Sequence, residues 1–127
     1  MTYRFTRHYT RDEARALLPE VRKWLSQLDR LRKRLRDSDE RLKAFLECGA
    51  DAGGEQVETW VRLIADIRIL LLEFQNREIQ IKDVERGLID FPAVIGGKEV
   101  FLCWEKDEAD VEFWHDLDAG YAGREPL

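Results

Sequence analysis

Only two cysteines, two histidines and three prolines occur among 127 residues, and each scarcity removes a class of protein. Cys48 and Cys103 lie far apart with no Cys-x-x-Cys spacing, which excludes a disulfide framework and a cysteine-built zinc finger. Both read as free, partly buried thiols. No His-Glu-x-x-His, phosphate loop, Gly-x-Ser-x-Gly or dinucleotide fingerprint is present. The longest apolar run, Ile69-Leu70-Leu71-Leu72, falls far short of the ~20 residues of a membrane span. Met1-Thr2-Tyr3-Arg4 leads into no signal-peptide-like apolar region. The expectation is a soluble, cytoplasmic protein without a membrane partner.

The residues that are present suit one small globular domain. Hydrophobic residues make up 44% and aromatics 10%, enough for a core at this length without a staple. The net charge of -5 is unevenly spread: residues 1–48 carry +5 and residues 49–127 carry -10. A basic and an acidic part attract each other within one fold, and the overall acidity argues against general polyanion binding.

Thr10-Arg11-Asp12-Glu13 is a capping-box pattern, so a helix begins at Arg11. Ala14, Val21, Leu28, Leu35 and Leu42 fall on one heptad position, and Leu17, Trp24, Leu31 and Phe45 on the other, with Ser38 out of pattern. Gly49 ends this helix. After the breaker segment at residues 49–54, the spacing of Val57, Trp60, Ile64, Ile67, Leu71 and Phe74 predicts a second helix from Glu55 to Arg77. A short connection makes the two antiparallel neighbours. The first helix is the longer, and its surplus lies at its start, where Pro19 predicts a bend that tilts residues 10–18 over the portion of chain beyond the hairpin.

That portion reads as a sheet. Ile79-Gln80-Ile81-Lys82 alternates, and Ile95-Gly96-Gly97-Lys98 offers a two-residue turn. Pairing Ile95 with Lys98 puts Ala93/Val100, Phe91/Leu102 and Ile89/Trp104 on one apolar face. Val94/Glu99, Pro92/Phe101 and Asp90/Cys103 then share a mixed face. Pro92 requires a strand that is an edge or locally unpaired. Val111 to His115 alternates as a further strand in either of two registers, and the alternation of Tyr3 to Arg7 offers another strand. The tail from Asp118 has no period and reads as irregular. The fold class is therefore α+β, a long antiparallel helical hairpin packed against a small antiparallel β-sheet. It forms a single domain of residues 1–127, with the hairpin at 10–77 and the β-rich portion at 78–127.

Three stretches carry a likeness: Thr-Arg-Asp-Glu-Ala-Arg-Ala-Leu-Leu-Pro at residues 10–19, Ile-Lys-Asp-Val-Glu-Arg-Gly-Leu-Ile-Asp-Phe-Pro at 81–92, and Phe-Leu-Cys-Trp leading to Phe-Trp-His-Asp-Leu-Asp-Ala-Gly-Tyr-Ala-Gly-Arg-Glu-Pro-Leu at 101–127. On these the chain resembles a family of small uncharacterised bacterial proteins, a domain of unknown function. The resemblance implies a bacterial cytoplasmic protein and a tail that belongs to the fold or site. It implies no catalytic residue, substrate or cofactor.

The candidate site is built from His115, Asp116, Asp118, Asp90, Arg124 and Cys103. A histidine beside carboxylates can ligate a divalent metal, here through His115 and Asp116, or form an acid/base pair. Further ligands would come from Asp90, Glu105 or Cys103, since His8 is the only other histidine. The same residues also fit a histidine hydrogen-bonded at a strand end, with Asp116 capping a turn. Asp90, flanked by apolar residues, reads either as a base of raised pKa or as a structural carboxylate paired with Arg124 or with tail N–H groups. A Cys103 nucleophile needs His115 in one of the two registers.

The basic run Arg30, Arg32, Lys33, Arg34 and Arg36 can touch nucleic-acid phosphates or form a solvated helix face. Leu18, Leu25, Leu63, Leu70 and Leu72 exceed what one partner helix covers, which points to a homodimer through the helices. Three functions remain: a noncatalytic binding or assembly module, which leads, a metal-dependent and perhaps hydrolytic enzyme at His115, and RNA or ribosome association through the basic run.

Overall fold

In the computed structural model, which describes residues 2–49 and 53–127, two helices precede a five-stranded antiparallel sheet, an α+β architecture. Helix α1 spans Arg11–Glu47 and α2 spans Gly53–Gln75. The strands are β1 (Gln80–Asp83), β2 (Leu88–Ile95), β3 (Lys98–Glu105), β4 (Phe113–Asp116) and β5 (Glu125–Pro126), neighbours in that order. Backbone contacts divide the chain into two compact units, Met1–Leu25 with Glu73–Leu127, and Ser26–Leu72. Part of the expected breaker segment, residues 50–52, lies outside the described residues.

The capping box forms as the sequence dictates. Glu13 N donates to Thr10 Oγ1 at 3.1 Å, and Thr10 N donates to Glu13 Oε1 at 3.0 Å. Beyond the cap, α1 runs helically through Pro19. Within the first unit its opening turns meet the end of the β3–β4 connection. Arg11 Nε donates to the Val111 carbonyl at 2.7 Å, and Arg15 forks onto Asp110 at 2.8 and 2.9 Å. Arg22 stacks over Trp104 at 5.2 Å, Tyr9 meets Phe91 edge-on, and Trp24 meets Phe74 the same way. These contacts cover the apolar sheet face.

The hairpin register is the expected one throughout, from Ile95↔Lys98 to Ile89↔Trp104. Pro92 sits where β2 extends past the short β1, and its carbonyl accepts Tyr9 N at 2.7 Å. A strand residue's N and O point the same way, so the missing N–H faces this unladdered side. The mixed face is not open to solvent: Asp90, Phe101 and Cys103 are all buried. Tyr3 to Arg7, expected to offer another strand, forms none. The tail corrects the irregular expectation. A 3-10 turn at Tyr121–Gly123 leads into β5, which pairs with β4, and Leu127 N bonds the Glu112 carbonyl at 2.8 Å.

In the second unit the buried face of α2 differs from the expected stripe. Leu63 and Leu70 are buried, while Val57 and Ile64 are exposed. The segment from Leu63 to Leu72 is apolar nearly all round, so its periodicity does not single out one face. Leu18 and Leu25, in the first unit, are buried as well. Of the five leucines expected to form a dimer surface, only Leu72 is exposed. Cys48, expected to be partly buried, is exposed just beyond the end of α1.

Candidate metal centre

The sequence left two registers for the last long strand, and the structure adopts the one that opposes Phe101 to His115 and Cys103 to Phe113. Asp90 stands opposite Cys103 across the β2–β3 ladder. Directly opposed residues share a sheet face, so Asp90, Cys103 and His115 converge on the mixed face from three adjacent strands. One ligand-type atom from each lies within 4.8 Å of the others, and all three residues are buried.

The hydrogen bonds locate one proton of the cluster. His115 Nδ1 lies 2.7 Å from the Asp116 carbonyl oxygen, which only accepts, so Nδ1 carries a proton. Nε2 faces Asp90 Oδ2 at 3.1 Å. A histidine anchored through Nδ1–H to a carbonyl is oriented as metal-bound histidines are, with Nε2 presented to the site. Asp90 Oδ1 has no partner, and only Ser38 Oγ shares that condition among the buried side-chain atoms of the described residues. A buried oxygen without a partner costs free energy that a cation or a proton relieves.

Burial raises the Asp90 pKa, against the opposing pull of His115. Burial, reinforced by the Asp90 charge, pushes the Cys103 thiol up to about 12, while Arg124 pulls the other way. A raised thiol pKa is the reverse of the depressed one a nucleophilic cysteine uses, and His115 Nε2 is turned to Asp90, although the register that brings His115 to the Cys103 face is realised.

Two of the expected site residues point elsewhere. Asp116 follows His115 on the strand and therefore projects from the opposite face, where it pairs with Lys98 at 2.8 Å. Its carboxylate therefore lies apart from the Asp90–Cys103–His115 cluster. Asp118 is exposed beside Arg4 at 3.3 Å. Arg124 does not pair with Asp90. It forks onto Glu108 at 2.8 and 3.0 Å, stacks on Phe113 at 3.9 Å and Tyr121 at 4.2 Å, and brings Nη1 to 3.9 Å from Cys103 Sγ. Glu105 is paired with Arg86 at 3.0 Å and His8 with Glu99 at 2.7 Å, so neither joins the cluster.

Glu108 carries no sequence signal beyond its place in a charged connection, and Phe5 carries none because its contact lies far along the chain. Phe5 packs on Phe101 at 5.4 Å, which packs on His115 at 5.7 Å. The mixed face is thus covered at one end by the N-terminal segment and at the other by the tail.

The basic run is flanked by carboxylates. Lys33 pairs with Asp29 at 3.0 Å, and Arg34 shares a cleft between the helices with Asp37 and Glu55. Arg30 and Arg36 are exposed and Arg32 is half-buried. Among the described residues no helix is long and apolar enough to cross a membrane.

No curated protein and no solved structure matches the sequence. A family described as uncharacterized conserved protein (DUF2203) matches it over residues 7–127. That match takes in both helices, every strand and all three residues of the cluster, and the chain belongs to this family.

Proposed function

We propose that the protein is a noncatalytic module whose first unit holds one divalent transition-metal ion, zinc in the first instance, through Asp90, Cys103 and His115. The convergence of three ligand-type atoms within 4.8 Å carries this reading. A mixed S, N and O donor set suits zinc, which takes thiolate, imidazole and carboxylate together. When bound, the ion supplies a cross-link between β2, β3 and β4. The unpaired Asp90 Oδ1 and the oriented His115 Nε2 fit it. Burial of all three donors closes the site to a substrate, which favours a binding role over turnover. Because the Cys103 thiol must lose its proton to bind, uptake is expected to release protons and to weaken as pH falls.

Equilibrium dialysis against zinc tests this assignment. Wild-type protein is expected to take up one equivalent, and Asp116→Ala to do the same, since Asp116 faces away. Cys103→Ser and His115→Ala are expected to lose at least tenfold in affinity, a loss of about 1.4 kcal/mol or more.

A second reading, self-association through the second unit, rests on Val57, Val61, Ile64 and Leu72, which are exposed within one face of α2. Sedimentation equilibrium is expected to show a dimer that Val61→Glu dissociates. A monomer at all concentrations contradicts this reading.

A further inference from the structure

The N-terminal segment is attached to the molecule in an unusual way. The N–H groups of Arg4, Phe5, Thr6 and Arg7 all bond to just two carboxylates. Arg4 N and Phe5 N donate to Glu99 Oε1 and Oε2 at 2.7 and 3.0 Å, and Thr6 N and Arg7 N donate to Glu78 Oε2 at 2.9 and 3.1 Å. Thr6 Oγ1 adds a bond to Glu78 Oε1 at 2.6 Å, and His8 Nε2 lies 2.7 Å from Glu99 Oε2. Backbone pairing with the sheet begins only at Tyr9, whose N–H reaches the Pro92 carbonyl and whose hydroxyl donates to the Arg77 carbonyl, both at 2.7 Å.

Glu78 holds its clip from the left-handed region, with φ 57, a conformation that non-glycine residues rarely adopt. Glu99 lies just past the β2–β3 turn. The segment therefore has two side-chain clips, a fixed point at buried Tyr9, and one ring, Phe5, packed on Phe101, the ring that in turn contacts His115. Its remaining attachments are peripheral: Arg4 to the exposed Asp118, Arg7 stacked on Tyr9, and the exposed Tyr3 hydroxyl to Gly97. A stretch held by side chains, without ladder bonds, opens at lower cost than the sheet it covers.

Building on the metal-site reading, we propose that residues 4–8 form a strap that unclips from Glu99 and Glu78 and swings about Tyr9. Its release opens the Asp90–Cys103–His115 cluster and sets the rate at which a divalent metal ion enters and leaves. Lys82, whose Nζ lies 5.0 Å from the Phe101 ring centre, stays on the sheet when the strap departs. The tail, fixed by the Arg124–Glu108 fork and by β5, stays closed over the other end.

The test reads the strap without metal. In a full-length Cys48→Ser protein stripped of metal, the rate of Cys103 modification by methyl methanethiosulfonate reports the opening. Glu78→Ala and Glu99→Ala are each expected to raise it by roughly tenfold or more, since each removes several charge-assisted bonds. Phe5→Ala, which keeps both clips and shortens the cover, raises it as well. In the parent the rate is expected to vary little with urea below the unfolding transition, as a local opening does. The same glutamate variants, loaded with zinc, are expected to release it to a chelator faster by a similar factor.

A labelling rate that rises with urea as steeply as global unfolding, or that the glutamate variants leave unchanged, overturns the strap. Zinc that binds but leaves the variants at the parent rate also overturns the strap, and spares the metal site. Fast labelling in the variants with no protection by zinc overturns the metal site, and spares the strap as the way in to Cys103.

Discussion

Replacing His115 with leucine is expected to cost about 3–5 kcal/mol of folding free energy in metal-free protein, the range for removing one partner of a buried pair. His115 and Asp90 are each only 2% exposed at the side chain and face each other at 3.1 Å. Leucine takes away the histidine at Oδ2, and since Oδ1 already lacks a partner, only the Cys103 thiol remains beside the buried carboxylate. The pH dependence follows from the direction of the Asp90 shift. Burial already raises this carboxyl above the ordinary 3.8, and loss of His115 removes an opposing pull. A carboxyl whose folded pKa is raised loses stability as pH climbs through the folded value. The penalty of His115→Leu should therefore be smallest at low pH, where Asp90 is protonated in both folded proteins, and grow once pH passes the raised wild-type folded value. The double variant Asp90→Leu/His115→Leu should recover most of the loss, since no charge is then left unpaired. Urea denaturation with chelator present measures all three proteins, and a double variant no more stable than the single would contradict the pairing.

Trp104→Ala is expected to cost about 3–5 kcal/mol as well, by a different route. Trp104 is fully buried on the apolar face opposite Ile89, lies beneath the Arg22 guanidinium, and donates Nε1–H to the Glu108 carbonyl at 2.9 Å. Removing the indole opens a large cavity and also unties the connection that leads to β4. Leu46→Ala, at 63% exposure, is expected to stay within about 0.5 kcal/mol of wild type. The urea midpoint should drop for Trp104→Ala with an unchanged slope, which marks a loss of stability rather than of cooperativity.

The sheet was readable where the chain turns in two residues. Gly96-Gly97 ties β3 to β2 so closely that face matching leaves one register, and Asp90 opposite Cys103 came with it. The capping box at Thr10 was equally legible because both partners lie within one turn. The β4 register was not, because the connection after Glu105 has no standard length. Within that connection the Glu108 carboxylate accepts Glu105 N at 2.8 Å and grips Arg124, while its carbonyl receives Trp104, contacts that no local sequence pattern announces. Without that register His115 cannot be assigned to a face, and adjacency in sequence favours Asp116, whose side chain the structure turns to Lys98. Arg124 was matched to the wrong carboxylate for the same reason. The strap escaped notice because Glu78 and Glu99 lie 71 to 95 residues from the groups they hold, and single carboxylates leave no periodic trace.

A metal ion held jointly by Cys103, His115 and Asp90 is tested most directly by titrating metal-free protein with cobalt(II) in place of zinc and recording the absorption spectrum. Saturation is expected at one equivalent, with a thiolate-to-cobalt charge-transfer band that Cys103→Ser abolishes, and with ligand-field bands that His115→Ala alters and Asp116→Ala does not. A spectrum identical to that of cobalt in buffer, or a thiolate band that survives Cys103→Ser and vanishes with Cys48→Ser, would contradict the three-residue site.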